Sequence, residues 1–136
     1  AARHLAEKNC SHLIYVKPQN NIAPFCSLME KGFNDFICSS DVDGEIVSVS
    51  NHKSVLTRKL KSKKRKTGLV VAPYPLARVV RKDFADQEMI SLILPGDRKT
   101  DDVDAVFFDR KAIFKKAIAA IFSEEKTASE LVKPLI

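Results

Sequence analysis

Eleven Lys and Arg side chains, and no Asp or Glu, lie between Ile46 and Lys82. Seven of them crowd into residues 58–66, Arg-Lys-Leu-Lys-Ser-Lys-Lys-Arg-Lys. Cations at this density suit one chemistry above others, the neutralisation of phosphates. Each phosphate contact releases condensed counterions, so the affinity is salt-dependent. Such contacts hold a protein on a nucleic-acid backbone without reading much base sequence. The candidate contact residues are Arg58, Lys59, Lys61, Lys63, Lys64, Arg65 and Lys66, followed by Arg78, Arg81 and Lys82.

The rest of the chain holds 12 Lys+Arg against 17 Asp+Glu, so a mildly acidic body carries one basic insert. Like charges this close repel unless water or an acidic partner separates them. Residues 58–67 are therefore expected as an exposed loop, or as the frayed end of a preceding helix. Three other uses compete, beside the plain reading of a solvated charged loop with no specific partner. Lys63-Lys64-Arg65-Lys66 has the density of a nuclear import signal. The same cluster would meet an acidic protein surface. A membrane contact is not expected, because no amphipathic apolar face adjoins the cluster. Trp is absent, and Tyr74, set between Pro73 and Pro75, is the one aromatic placed to stack on a base.

The carboxylates form two groups, Asp41 with Asp43, and Asp97, Asp101, Asp102, Asp104 and Asp109. A magnesium-dependent nuclease or phosphotransferase needs two or more carboxylates converging on the ion. Asp41 and Asp43 with Asp101 or Asp104 would supply them if the fold joined the two groups. The plainer reading is turn and helix-start chemistry. No catalytic residue, metal site or cofactor is assigned. With Gly32, Gly44, Gly68 and Gly96 alone, no glycine-rich phosphate cradle can be built. Cys10, Cys26 and Cys38 stand 16 and 12 residues apart, which is no metal-ligand spacing. Three unpaired thiols fit an intracellular protein, cytoplasmic or nuclear.

These residues must be positioned by a chain of 136 residues, 45% apolar and 29% charged, with a formal net charge of +6. That is one domain, and the start without Met suggests a piece of a longer protein. No apolar run reaches the roughly 18 residues a membrane span needs. Helical spacing is expected at 2–9, 24–31, 54–60, 75–84 and 109–122, the last with Ile113, Phe114, Ala117, Ile118, Ile121 and Phe122 as an apolar stripe. A capping-box pattern at Thr127 and Glu130 predicts a final short helix. Strands are expected at 12–16, 33–40, 46–49, 68–72 and 89–94, and 104–108 reads either as a strand or, through Val103, Val106, Phe107 and Arg110, as the front of the long helix. Gly32 reads as a helix stop, and Asp43-Gly44 as the turn of a hairpin.

The run from Leu28 to Ile37, followed by Asp43-Gly-Glu-Ile46, resembles the last β-α units of receiver-like doubly wound domains. That resemblance implies an open α/β fold in which 45–60 is one helix. It carries no site residues, because no phosphoacceptor Asp can be placed. The expected architecture is a single α+β domain. Its sheet is mixed or antiparallel, with about five or six strands packed by the long C-terminal helix; the alternative is an open three-layer α/β fold. The expected function is a non-catalytic nucleic-acid-binding module, with a protein-interaction domain and a small magnesium enzyme as the other two readings.

Overall fold

The computed structural model describes residues 1–20, 24–61, 65–93, 102–107 and 110–122. The elements run α1 (Ala2–Glu7), β1 (His12–Pro18), α2 (Pro24–Cys38), β2 (Asp43–Val49), α3 (His52–Lys61), β3 (Thr67–Val71), α4 (Tyr74–Asp83), β4 (Met89–Ile93), β5 (Asp104–Phe107) and α5 (Arg110–Phe122). The strands form one five-stranded sheet in the order β2-β1-β3-β4-β5. Every pairing in it is parallel.

The expected mixed or antiparallel sheet packed by the C-terminal helix is thus overturned, and the open α/β alternative fits. The physical reason lies in the strands. His12 through Val16 and all five residues of β3 are buried, without the apolar–polar alternation of a sheet with one wet face. Strands buried on both sides need helices on both sides, and parallel neighbours need crossover connections that supply them. The order is the flavodoxin-like doubly wound one.

Side chains alternate across the sheet into two apolar layers. Ile14, Val16, Leu69 and Val71 pack with Leu56 of α3 and with Tyr74, Ala77 and Val80 of α4. Leu13, Tyr15, Val70 and Ile90 pack on the opposite face with Leu5 of α1 and Phe33 of α2. There the Tyr15 and Phe33 rings stand 5.5 Å apart, tilted by 44°. Helices α3 and α4 therefore share one face of the sheet, and α1 and α2 cover the other.

Four local expectations change. Residues 33–40 are no strand, because α2 runs unbroken through Gly32 to Cys38. Its Phe33 is buried, and Met29, Phe36 and Ile37 pack on the same layer, which outweighs the cost of about 1 kcal/mol for a helical glycine. Asp43-Gly44 is no hairpin turn but the start of β2. A Cβ on Gly44 would lie 2.5 Å from Ile37 Cδ1, so the glycine lets α2 lie close on the strand. Residues 45–60 are not one helix, since β2 ends at Val49 before α3 begins. On α5, Phe114 and Ile118, expected in the buried stripe, are 68% and 41% exposed. An apolar band that wide exceeds the one side a helix can bury. The helix expected from Thr127 lies outside the described residues.

Candidate nucleic-acid interface

Of the ten cations named from the sequence, the eight among the described residues separate into two places. The first is the amino-terminal edge of the sheet. Lys66 immediately precedes β3, and its carbonyl accepts from the amides of Ser11 and His12 at the start of β1. Asp43 opens β2, Glu88 precedes β4 and Asp104 opens β5, so the parallel register brings acids to this same edge. They are matched by cations. Arg65 pairs with Asp43, and Lys59 with Glu45. Lys66 Nζ stands 3.7 Å from Glu88 and donates to the Lys8 carbonyl at 2.8 Å. Lys8 reaches Glu88 at 3.5 Å and Asp104 at 3.0 Å. Its hydrogen bond to Asp104 pushes the Lys8 ammonium above its ordinary pKa and holds the Asp104 carboxyl below its own. A polar recess of about 270 Å³ opens here between Leu60, Arg65, Lys66 and the 86–88 segment.

Arg81 is also engaged within the fold. Its guanidinium donates to the carbonyls of Ala85 and Gln87, at 2.7 and 2.8 Å, tying the end of α4 to the turn into β4. Four of the ten, Lys59, Arg65, Lys66 and Arg81, thus have partners inside the domain. The stretch 58–67, expected as an exposed loop or a frayed helix end, is helical at 58–61 as the last turn of α3. Arg65 and Lys66 are exposed but sit in the ion-paired edge. The cause of that pairing is the acid-rich start of three strands, which linear charge counting does not show.

The second place is the outward side of α3 and α4. Asn51 caps α3, accepting from the Ser54 amide at 3.3 Å, as its residue type suggests. Leu56 turns inward and is fully buried. Arg58, two positions on, projects from the opposite side and is exposed, as is Lys61. On α4, Pro75 lies in the first turn, and Tyr74, Ala77 and Val80 face the core. Arg78 and Lys82 project outward, with Val79 47% exposed between them. Arg58, Lys61, Arg78 and Lys82 form no ion pair with any described residue. Lys63 and Lys64 lie outside the described residues.

Two residues outside the ten cations, His52 and Lys53, join the start of α3 to the end of α4. His52 Nε2 stands 2.7 Å from Asp83 Oδ2, and Lys53 Nζ 3.1 Å from Asp83 Oδ1. The hydrogen bond from His52, then that from Lys53, holds the Asp83 carboxyl below its ordinary range. Lys53 lies in the acid-free stretch between Ile46 and Lys82. Its partner Asp83 is the first acid beyond it. Tyr74 is 1% exposed, so its ring is core and offers no stacking surface.

Among the described residues the carboxylates do not converge. Asp43 is on β2 and Asp104 on β5, the two outer strands, about four spacings of about 4.8 Å apart. Each is held by a cation of its own. Asp97, Asp101 and Asp109 lie outside the described residues, and among the described residues no three His, Cys, Asp or Glu side chains gather as a metal site would need. No described helix is long and apolar enough to cross a membrane. Compared with protein-family models, with curated proteins and with solved structures, the chain matches none.

Proposed function

We propose that the protein is a nucleic-acid-binding module that grips the phosphate backbone with the outward side of α3 and α4. One observation carries this reading. Arg58, Lys61, Arg78 and Lys82 are exposed on two neighbouring helices over one sheet face, without ion-pair partners among the described residues. Fixed helices hold these charges in place, so little ordering cost accompanies binding compared with a loop. Lys59, Arg65, Lys66 and Arg81 serve the fold instead. The free thiols support an intracellular setting, cytoplasmic or nuclear.

The test is binding of a random-sequence nucleic acid by the whole chain as salt rises. Affinity in 50 mM NaCl that falls steeply by 200 mM supports the proposal, and no binding at 50 mM contradicts it. A second reading, docking on an acidic protein, is favoured by the exposed Val79 between Arg78 and Lys82. An apolar contact there adds nothing on a phosphate backbone. Val79→Ser would weaken protein docking and leave nucleic-acid affinity unchanged.

A further inference from the structure

We infer that the α3–α4 surface takes duplex nucleic acid in preference to a single strand, an inference that rests on the nucleic-acid reading above. Proteins that hold single strands without sequence preference combine a basic groove with aromatic rings on which bases stack, worth about 1–3 kcal/mol per base. This surface has the charges without the rings. Tyr74 is buried within it, and Phe84, just past α4, is packed against the core. The strongly exposed aromatic among the described residues is Phe114, on α5.

Affinity that is electrostatic alone follows the charge density of the ligand. A duplex carries one phosphate charge per about 1.7 Å of axis, denser than a single strand offers. The cations also stand in short rows on packed helices. Arg58 and Lys61 are three residues apart on one helix, and Arg78 and Lys82 four apart on the next, so each pair lines one side of its helix. A stiff duplex, already ordered, loses little conformational freedom in meeting both rows. A flexible strand must be ordered to meet both rows, with no stacking to offset that cost.

Counterion release makes this quantitative. Four phosphate contacts give a slope of log affinity against log salt of about −3.6 on a duplex and about −2.8 on a single strand. From 50 to 200 mM NaCl these slopes are losses of about 150-fold and about 50-fold.

The experiment is fluorescence anisotropy of the whole chain with random-sequence 20-base-pair DNA, the same duplex in RNA, and the matching DNA and RNA single strands. Tighter binding of either duplex than of its own single strand in 50 mM NaCl, with a slope near −3.6, is expected. The variant R58A/K61A/R78A/K82A should lose that preference while keeping its thermal midpoint, and R58K/R78K should retain it. Phe114→Ala should change neither ligand. Single strands bound as tightly as duplexes, or single-strand binding weakened by Phe114→Ala, would overturn the duplex preference while leaving the nucleic-acid reading standing. Absence of binding to all four probes would remove the parent reading and this one with it.

Discussion

Asp83, the last residue of α4, stands 2.7 Å from His52, the first residue of α3, and takes Lys53 on its other oxygen at 3.1 Å. This contact bridges the two helices that carry Arg58, Lys61, Arg78 and Lys82. Beneath it, Leu56 of α3 and Val80 of α4 share one apolar layer on the sheet. The outward charges are therefore held by packing below and an ionic clasp at the side, which fixes their mutual placement before any ligand arrives.

The clasp makes stability depend on acid. Asp83 is held below its ordinary pKa by His52 and Lys53, and Asp104 by Lys8. A carboxylate lowered in this way contributes stability that is complete above its unfolded value, about 3.9, and is lost as pH falls through the folded value. Urea midpoints should thus hold from pH 7 to pH 5 with respect to these two groups and drop below about pH 4. Asp83→Asn and Asp104→Asn should each make that drop shallower. An acid limb unchanged in both variants would show that the contacts are not formed in solution.

Leu13 has a glycine opposite it on both sides, Gly44 in β2 and Gly68 in β3. Each gives room for a packed layer. Gly44→Ala would place its Cβ against Ile37, 2.5 Å from Cδ1, and should destabilise by about 1–3 kcal/mol. Ile37→Val removes that Cδ1 atom but keeps Cγ1, which would lie 2.7 Å away, so the relief is partial. The double variant G44A/I37V should therefore be more stable than the sum of the single effects allows, measured by urea unfolding. Strict additivity would mean that α2 does not lie on β2 as described. Gly68→Ala meets Leu13, Cys10 and Leu5 at 3.0–3.1 Å, all of them buried, and should cost about as much.

The three thiols should react at unequal rates. Cys38 is exposed at the end of α2, while Cys10 and Cys26 are buried. Burial also pushes the Cys10 thiol above its ordinary pKa, which lowers its thiolate fraction. A disulfide reagent at pH 8 should modify one thiol quickly and the other two after unfolding by guanidinium. Cys38→Ser should remove the fast phase. Two or three fast thiols in the native protein would contradict the packing of α1 or α2 on the sheet.

The places where sequence reasoning succeeded and failed have physical causes. Asn51 as a cap and Pro75 in the first turn of α4 mark helix starts by local chemistry, and both helices form there. The apolar runs at Leu13–Val16 and Leu69–Val71 already signal strands buried on both faces, which argues for parallel pairing. Asp43-Gly44 argued the other way, because the glycine that a tight turn needs is also the glycine that a close helix needs. Gly32 misled similarly. A methyl group added there would meet no atom of another element within 4 Å, so this glycine neither ends α2 nor serves its packing. The division of the basic residues was hidden for a different reason. Arg65 and Lys66 acquire their acids at the starts of β2 and β4, 22 residues away in sequence, once parallel register aligns the strand starts.

The measurement that bears most directly on the central claim compares two sets of substitutions in one salt titration. R58A/K61A/R78A/K82A empties the outward side of α3 and α4, whereas K59A/R65A/K66A empties the ion-paired edge. With a random-sequence duplex between 50 and 200 mM NaCl, the first set should flatten the salt slope by about 3.6 and leave thermal stability unchanged. The second should lower stability by about 1 kcal/mol or less per pair and keep most of the slope. A slope that survives the first set and vanishes with the second would place the docking surface on the sheet edge and contradict the assignment to the helices.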